Sequence, residues 1–366
     1  MFDKETVFIL GAGASWHYGY PTGYDLIEKI LNKADIIIGF EPYRQNGIFS
    51  HYEAPPLCYL RNKYAILAEE TANLETWSEL KKDCKELLQR IKATDPLSID
   101  AFLTRNKNVE KIAKILIGWI LLESSIKYKE STWNPNRLPV EPNEHKNTPT
   151  KKDDNWIKFI LSKILNAENI SDNKVQFITF NYDLSLENKL KEGLINTEII
   201  EEKEIEKFFE DRIHHVYGKI VKQPNFDEVY KNYKSKNDEF LGKIIDLSYE
   251  ASKELDIISP KKNGELSDII KKIKNAKNIY ILGYGFDDMN NDNLKLQENL
   301  KVVNTDNIYF TNKNDKNNIN KKVGTLLSNY KTIFLKEFIY TTPNSKLYCE
   351  KSVKDVYRAL SEDFDL

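Results

Sequence analysis

The stretch Val7-Phe8-Ile9-Leu10-Gly11-Ala12-Gly13-Ala14-Ser15 decides how this chain is expected to fold. A short apolar run ends in two glycines spaced one apart, and a helical pattern follows about ten residues later. This order of strand, glycine turn and helix is how a doubly wound α/β domain presents backbone N–H groups to a nucleotide phosphate. Gly11 permits the tight turn, and Gly13 has no Cβ, so a pyrophosphate can approach the main chain.

The helix that follows the glycine turn has a recognisable start. Thr22 and Asp25 have the spacing of a capping box just before the apolar pair Leu26-Ile27. Gly19 does not have the spacing of the usual third glycine, and no acidic residue ends a second strand about 20 residues on. Taken alone, the motif therefore also allows a tight strand-to-helix turn that binds no nucleotide.

Composition excludes several classes of protein. The 366 residues suffice for one large domain or two ordinary ones. A net charge of −2 gives no argument for binding nucleic acid or acidic membranes. Cys58, Cys84 and Cys349 form no Cys-x-x-Cys pair, so we expect no zinc site and no other metal site. We expect a cytoplasmic protein, since the N-terminus lacks a signal-peptide pattern and the best apolar run, Ile115 to Leu122, is too short to span a membrane. The Lys/Asn/Ile-rich composition is typical of AT-rich bacterial genomes.

Strand-like and helical segments are distributed unevenly along the chain. Strand patterns recur after residue 170, whereas residues 33–170 are mostly helical in pattern. We predict an α/β fold with a Rossmann-like parallel sheet flanked by helices over residues 1–32 and 171–366, and a large, mostly helical insertion over residues 33–170. Within the insertion, residues 129–155 hold four prolines and are expected to form an exposed loop. The pattern further predicts a strand at Thr332 to Leu335 and a helix near Val353 to Leu360.

Unusual polar residues follow several of the predicted strands. They stand in Gly11-Ala12-Gly13-Ala14-Ser15, in Thr179-Phe180-Asn181-Tyr182-Asp183, in Ile213-His214-His215-Val216-Tyr217-Gly218-Lys219 and in Gly283-Tyr284-Gly285-Phe286. Ligands of open α/β sheets bind at the carboxyl ends of the strands. In this order the motifs resemble the sirtuin family, and more closely the sirtuin-related (SIR2-like) domains of bacterial anti-phage defence systems.

Each motif corresponds to a part of the family's site. Gly11-Ala12-Gly13-Ala14-Ser15 followed by Gly19-Tyr20-Pro21 matches the glycine-rich NAD loop, and Thr179 to Asp183 matches the strand-end motif that holds the catalytic Asn. The stretch Ser98 to Leu103 resembles a short motif of the helical part of these defence proteins. The resemblance extends from residue 7 to about residue 292.

Two departures distinguish the chain from the deacylating sirtuins. Those enzymes carry a four-cysteine zinc module that this chain cannot build, and they have a Phe-Arg pair where this chain has Thr22-Gly23. The resemblance therefore implies hydrolysis of NAD+ to ADP-ribose and nicotinamide, with NAD+ as substrate and no zinc or other cofactor. It further implies depletion of cellular NAD+ in anti-phage defence, a homo-oligomer, and a separately encoded ATPase or sensor as partner.

A third departure concerns the catalytic histidine. The family places it directly before the strand's glycine, where this chain has Tyr217. His215 lies two residues earlier and, in a strand, on the same face as Tyr217, while His214 points the other way. We assign the general base to His215, with Tyr217 as an alternative donor.

The predicted site contains two catalytic residues and nine that contact NAD+. Asn181 would orient the ribose and the attacking water, although Asn is also a common turn residue after a strand. Asp183 is also suited to cap the helix that follows it. The predicted catalytic residues are Asn181 and His215, and the predicted NAD+-binding residues are Gly11, Ala12, Gly13, Ser15, Thr22, Asp183, Gly283, Gly285 and Phe286.

Two other functions fit the same sequence. One is a non-catalytic module that binds NAD+ or ADP-ribose and signals through oligomerisation or a partner protein. The other is an AbiH-like defence protein of unknown chemistry, which shares the glycine-loop and strand-end pattern.

Overall fold

A computed structural model defines the fold of the chain. It describes residues 1–39, 44–45, 48–49, 74–133, 156–197, 200–220, 247–255, 263–300, 307–311, 319, 321–323, 326 and 347–350.

The central element is a sheet of six parallel strands. In chain order they are β1 (Thr6–Leu10), β2 (Val175–Thr179), β3 (Ile213–His215), β4 (Asn278–Leu282), β5 (Asn307–Thr311) and β6 (Leu347–Glu350). Across the sheet the order is β3-β2-β1-β4-β5-β6, so the chain adds strands on one side of β1 and then changes to the other side at β4. This is the doubly wound order, and the predicted Rossmann-like α/β class is confirmed.

Burial explains why these segments form strands. All five residues of β1 and all five of β2 are buried. Near-continuous apolar runs are typical of parallel strands that are covered on both faces. Phe8 stacks on Phe177 with ring centroids 5.3 Å apart and on Tyr280 at 5.0 Å, and Tyr280 stacks on Tyr309 at 4.8 Å. These four residues lie opposite one another in the strand register, so one aromatic row crosses four strands.

Helices make up most of the remaining described structure. Residues 247–254 form one helical segment. Arg44–Gln45 and Ile48–Phe49 form a separate pair of two-residue antiparallel strands. The helices are α1 (Ala12–Ser15), α2 (Gly23–Gly39), α3 (Leu74–Thr94), α4 (Ile99–Arg105), α5 (Glu110–Trp133), α6 (Trp156–Ile164), α7 (Ser185–Ile195), α8 (Glu202–Arg212), α9 (Asn263–Asn275), α10 (Asp288–Asn293) and α11 (Leu296–Asn299).

The chain divides into two compact units. The first comprises residues 1–18, 141–217 and 259–366 and contains the sheet, and the second comprises residues 19–140 and 218–258. In the second unit α2 contacts α3 and α5. The structure thus divides the chain after Tyr18, whereas the sequence predicted boundaries at residues 32 and 170.

Some predicted segments can be compared only in part. Helix α5 continues to Trp133, so the loop predicted from residue 129 begins later than expected, and residues 134–155 lie outside the described residues. The strand predicted at Thr332 to Leu335 and the helix predicted at Val353 to Leu360 also lie outside them. Strand β6 was not predicted.

Candidate functional site

The loops that follow β1 and β4 pack directly against each other. The Gly13 N–H donates to the Gly283 carbonyl oxygen over 2.9 Å. Gly283 has a φ of +58°, and a Cβ on it would lie 2.1 Å from the Ala14 nitrogen. A Cβ on Gly11 would lie 2.6 Å from the Gly283 oxygen. The glycines of both motifs are therefore required by the contact between the two loops, because no side chain fits between their backbones.

This packing engages the N–H groups of Gly11 and Gly13, two of the residues that were predicted to bind phosphate. The Gly11 N–H donates to the Leu282 carbonyl over 3.0 Å, and the Ala14 N–H to the Gly11 carbonyl over 2.9 Å. Together with the Gly13 bond, these contacts leave Ala12 as the best-placed donor of the loop. Ala12 is half-buried and begins helix α1, and the N–H of a first helical residue has no acceptor within its helix.

Ser15 connects the loop after β1 to the loop after β2. Its hydroxyl donates to Asp183 Oδ1 over 3.1 Å and accepts from Asn181 Nδ2 over 2.8 Å, and its Oγ lies 3.1 Å from Ser185 Oγ. Asp183 Oδ1 also accepts from the Ser185 N–H over 3.0 Å. Burial raises the pKa of Asp183, and the hydrogen bonds from Ser185 and Ser15 oppose that rise.

Asn181 is fixed at three of its four polar groups. Its N–H donates to Thr179 Oγ1 over 3.0 Å, its carbonyl oxygen lies 2.8 Å from His215 Nδ1, and its Nδ2 donates to Ser15. Since the single Ser15 hydroxyl proton goes to Asp183, the contact between Ser15 and Asn181 requires Asn181 as donor. Its Oδ1 therefore remains an acceptor, and this buried atom has no hydrogen-bond partner in the described part of the chain.

His215 contacts protein groups through both ring nitrogens. Nδ1 lies 2.8 Å from the Asn181 carbonyl oxygen, and Nε2 lies 2.8 Å from Glu187 Oε1. The side chain is only 4% exposed. In this arrangement neither nitrogen is available to take a proton from a substrate, so the geometry does not support the predicted role of His215 as a direct general base.

Tyr217, the alternative donor, belongs to another set of contacts. It is buried, and its hydroxyl donates to Asn290 Oδ1 and accepts from Asn293 Nδ2 over 2.8 Å. Its ring packs against Phe180, with centroids 5.7 Å apart. Of the two candidates for the general base, His215 and Tyr217, only His215 has a hydrogen bond with Asn181 among the contacts of the described residues.

Three predicted NAD+-binding residues have other contacts or surroundings. Phe286 is buried, with its ring against Tyr284 and Phe310, so its side chain is part of the core. Gly285 is exposed, and a Cβ on it would meet no atom within 4 Å. Thr22 belongs to the second unit, where its N–H donates to Asp25 Oδ2 over 3.0 Å and its Oγ1 accepts from the Asp25 N–H over 3.4 Å, as the predicted capping box requires.

The structure adds residues that sequence reasoning missed. Glu187 contacts His215, Ser185 contacts Ser15 and Asp183, and Thr311 Oγ1 accepts from the Gly283 N–H over 2.8 Å. Glu187 is the third residue of α7 and is 8% exposed. A glutamate in the first turn of a helix is common, so its position in the sequence gave no signal of this contact.

Comparisons of the chain with protein-family models, with curated proteins and with solved structures find no match. No group of three or more His, Cys, Asp and Glu side chains is placed to hold a metal ion among the described residues. None of the helices described here has the length and apolar character needed to cross a membrane.

Proposed function

We propose that the chain is an NAD+ hydrolase that releases nicotinamide and ADP-ribose. The observation that carries this proposal is the buried Asn181 Oδ1 just after β2, for which no described residue supplies a hydrogen-bond donor. A buried acceptor without a partner costs free energy, on the order of 1–3 kcal/mol, so it is tolerated where a ligand or water supplies the donor.

The chemistry of NAD+ hydrolysis needs such an acceptor. Cleavage of the N-glycosidic bond develops positive charge on the ribose, nicotinamide leaves with the bonding electron pair, and water adds to the cation at C1 and releases its proton to solvent. Asn181 Oδ1 would accept a hydrogen bond from a ribose hydroxyl or from the attacking water. Its backbone and its Nδ2 are already held by Thr179, His215 and Ser15, so the acceptor needs no rearrangement when substrate binds.

The position of the site in the sheet supports a dinucleotide. The strand order reverses between β1 and β4, and ligands of open α/β sheets bind at that switch point. Gly11, Gly13 and Gly283 lie there, and Asn181 is linked to the same edge through Ser15. In this proposal Ala12 supplies a backbone donor to the pyrophosphate, and Gly285 leaves room for the adenosine.

Turnover by purified protein tests the proposal. We expect nicotinamide release from NAD+ by the wild-type chain and at least about 100-fold slower release by Asn181→Ala. Asn196→Ala is the matched control, since Asn196 is an exposed amide at the end of α7. If wild-type protein binds NAD+ in calorimetry but releases no nicotinamide over hours, the hydrolase proposal is rejected.

That result would support the alternative, a non-catalytic module that binds NAD+ or ADP-ribose. The engagement of both His215 nitrogens favours this candidate, because it leaves no side-chain base of the predicted set free. Under either proposal the biological role is anti-phage defence, by NAD+ depletion or by signalling. Both proposals include a homo-oligomer and a separately encoded ATPase or sensor as partner.

A further inference from the structure

We infer that Glu187 is a positioning residue that acts through His215 to hold Asn181 in its active orientation. Glu187 Oε1 lies 2.8 Å from His215 Nε2, and His215 Nδ1 lies 2.8 Å from the Asn181 carbonyl oxygen. The role in turnover rests on the proposed function, whereas the effect on the Asn181 backbone does not depend on it.

The positions of the protons determine which atom donates in each of these contacts. A carbonyl oxygen only accepts, so His215 Nδ1 must carry a proton and donate to Asn181. Nε2 then faces a carboxyl oxygen, and this contact is a hydrogen bond only if a proton lies between the two atoms. Either an imidazolium donates to a glutamate anion, or a protonated Glu187 donates to neutral His215. In both forms Glu187 keeps the imidazole in the orientation in which Nδ1–H points at Asn181.

The three residues come from three separate elements. Glu187 stands on α7, His215 on β3, and Asn181 in the loop after β2. The Asn181 N–H is held by Thr179 and its carbonyl by His215, so the backbone is fixed on both sides of the side chain that carries the unpartnered Oδ1. Loss of the His215 contact would free the carbonyl end of Asn181 and leave the residue held only by Thr179 and Ser15, so its side chain would be less firmly oriented.

Two substitutions of Glu187 separate positioning from proton transfer. In Glu187→Gln the amide N–H₂ can donate to His215 Nε2, which leaves Nδ1–H on Asn181. We expect kcat within about threefold of wild type for Glu187→Gln. For Glu187→Ala we expect a loss in kcat of about 30-fold or more, with KM changed by less than about threefold. Glu192→Ala is the matched control, because Glu192 is exposed on the same helix.

Two substitutions of His215 test the same pair of contacts. An Asn side chain can place an N–H where His215 carries Nδ1, while a Gln side chain reaches the position of Nε2 instead. We therefore expect His215→Asn to retain more turnover than His215→Gln. Equal losses in Glu187→Gln and Glu187→Ala, or no loss in Glu187→Ala, would overturn the inference.

Hydrogen exchange provides a measurement that does not need activity. Amide exchange in residues 180–184, followed by mass spectrometry, should be about tenfold faster or more in Glu187→Ala and close to wild type in Glu187→Gln and Glu192→Ala. A wild-type chain without turnover, but with this exchange pattern, would reject the hydrolase and keep the positioning role. Unchanged exchange in Glu187→Ala would reject the positioning role itself.

Discussion

Gly13 and Gly283 are held backbone to backbone: the Gly13 N–H donates to the Gly283 carbonyl oxygen over 2.9 Å, and a Cβ on Gly13 would lie 2.9 Å from the Gly283 Cα. The two residues lie in the segments that follow the neighbouring parallel strands β1 and β4, where the strand order reverses. Their contact joins the two glycine motifs, and Ser15, two residues after Gly13, contacts Asn181 and Asp183 in the loop after β2.

Gly283→Ala is expected to destabilise the protein strongly. The φ of +58° is unfavourable for a residue with a side chain, and the new Cβ would lie 2.1 Å from the Ala14 nitrogen and 2.3 Å from the Gly13 carbonyl carbon. Backbone atoms cannot move aside cheaply, so we expect a loss of about 3 kcal/mol or more in the free energy of unfolding. Urea denaturation measures the loss. Gly285→Ala is the control, because its Cβ would meet no atom within 4 Å, and an equal loss in both variants would contradict the argument.

The fold class, and the edge of the sheet that carries the candidate site, could be predicted because their signals are local. Short apolar runs such as Thr6 to Leu10 have the composition of a buried parallel strand, and a polar group directly after such a run lies at the carboxyl edge of the sheet. This reasoning alone predicted that Asn181 and Ser15 lie at the same edge of the sheet. The helix start at Thr22 was predictable for the same reason, since its capping partner is three residues away.

Contacts between distant elements could not be predicted in this way. Glu187 and His215 are 28 residues apart, and their contact depends on how α7 packs beside β3, which no periodicity encodes. The contact of Gly13 with Gly283 could not be predicted for a related reason. Its missing Cβ was expected to admit a ligand, and the structure shows that it also makes room for the backbone of Gly283, which is 270 residues away in sequence.

Phe8→Ala is expected to remove much of the stability of the sheet. Phe8 is fully buried and stacks on Phe177 and Tyr280 from the strands on either side. Truncation leaves a cavity between three strands, and such changes cost about 3–5 kcal/mol. Chemical denaturation followed by circular dichroism measures the loss. Ile195→Ala, at a position 43% exposed, should change stability by less than about 0.5 kcal/mol, and a similar small effect at Phe8 would contradict the expected packing.

Cys84 is expected to resist alkylation in the folded protein. It lies fully buried on α3, and burial raises its pKa to about 12. The thiolate is the reactive form, so at pH 8 about one thiol in 10⁴ would be reactive even with full access. Iodoacetamide treatment followed by mass spectrometry should leave the Cys84 peptide unmodified in buffer and label it in urea. Labelling at the same rate under both conditions would show that the thiol is accessible.

Asp183→Asn is expected to gain stability relative to wild type as the pH rises. Burial raises the pKa of Asp183 in the folded protein above its ordinary value of 3.8, so the folded state binds this proton more tightly than the unfolded chain. The carboxyl therefore contributes stability that is fully present below pH 3.8 and is lost as the pH rises through the raised pKa. Asparagine can still accept from Ser15 and from the Ser185 N–H, and it carries no buried charge at any pH.

The difference in urea midpoint, variant minus wild type, should increase between about pH 4 and pH 7. Asp172→Asn, at an exposed position, should show no such increase, and a flat difference for Asp183→Asn would mean that the carboxyl is not destabilised by burial.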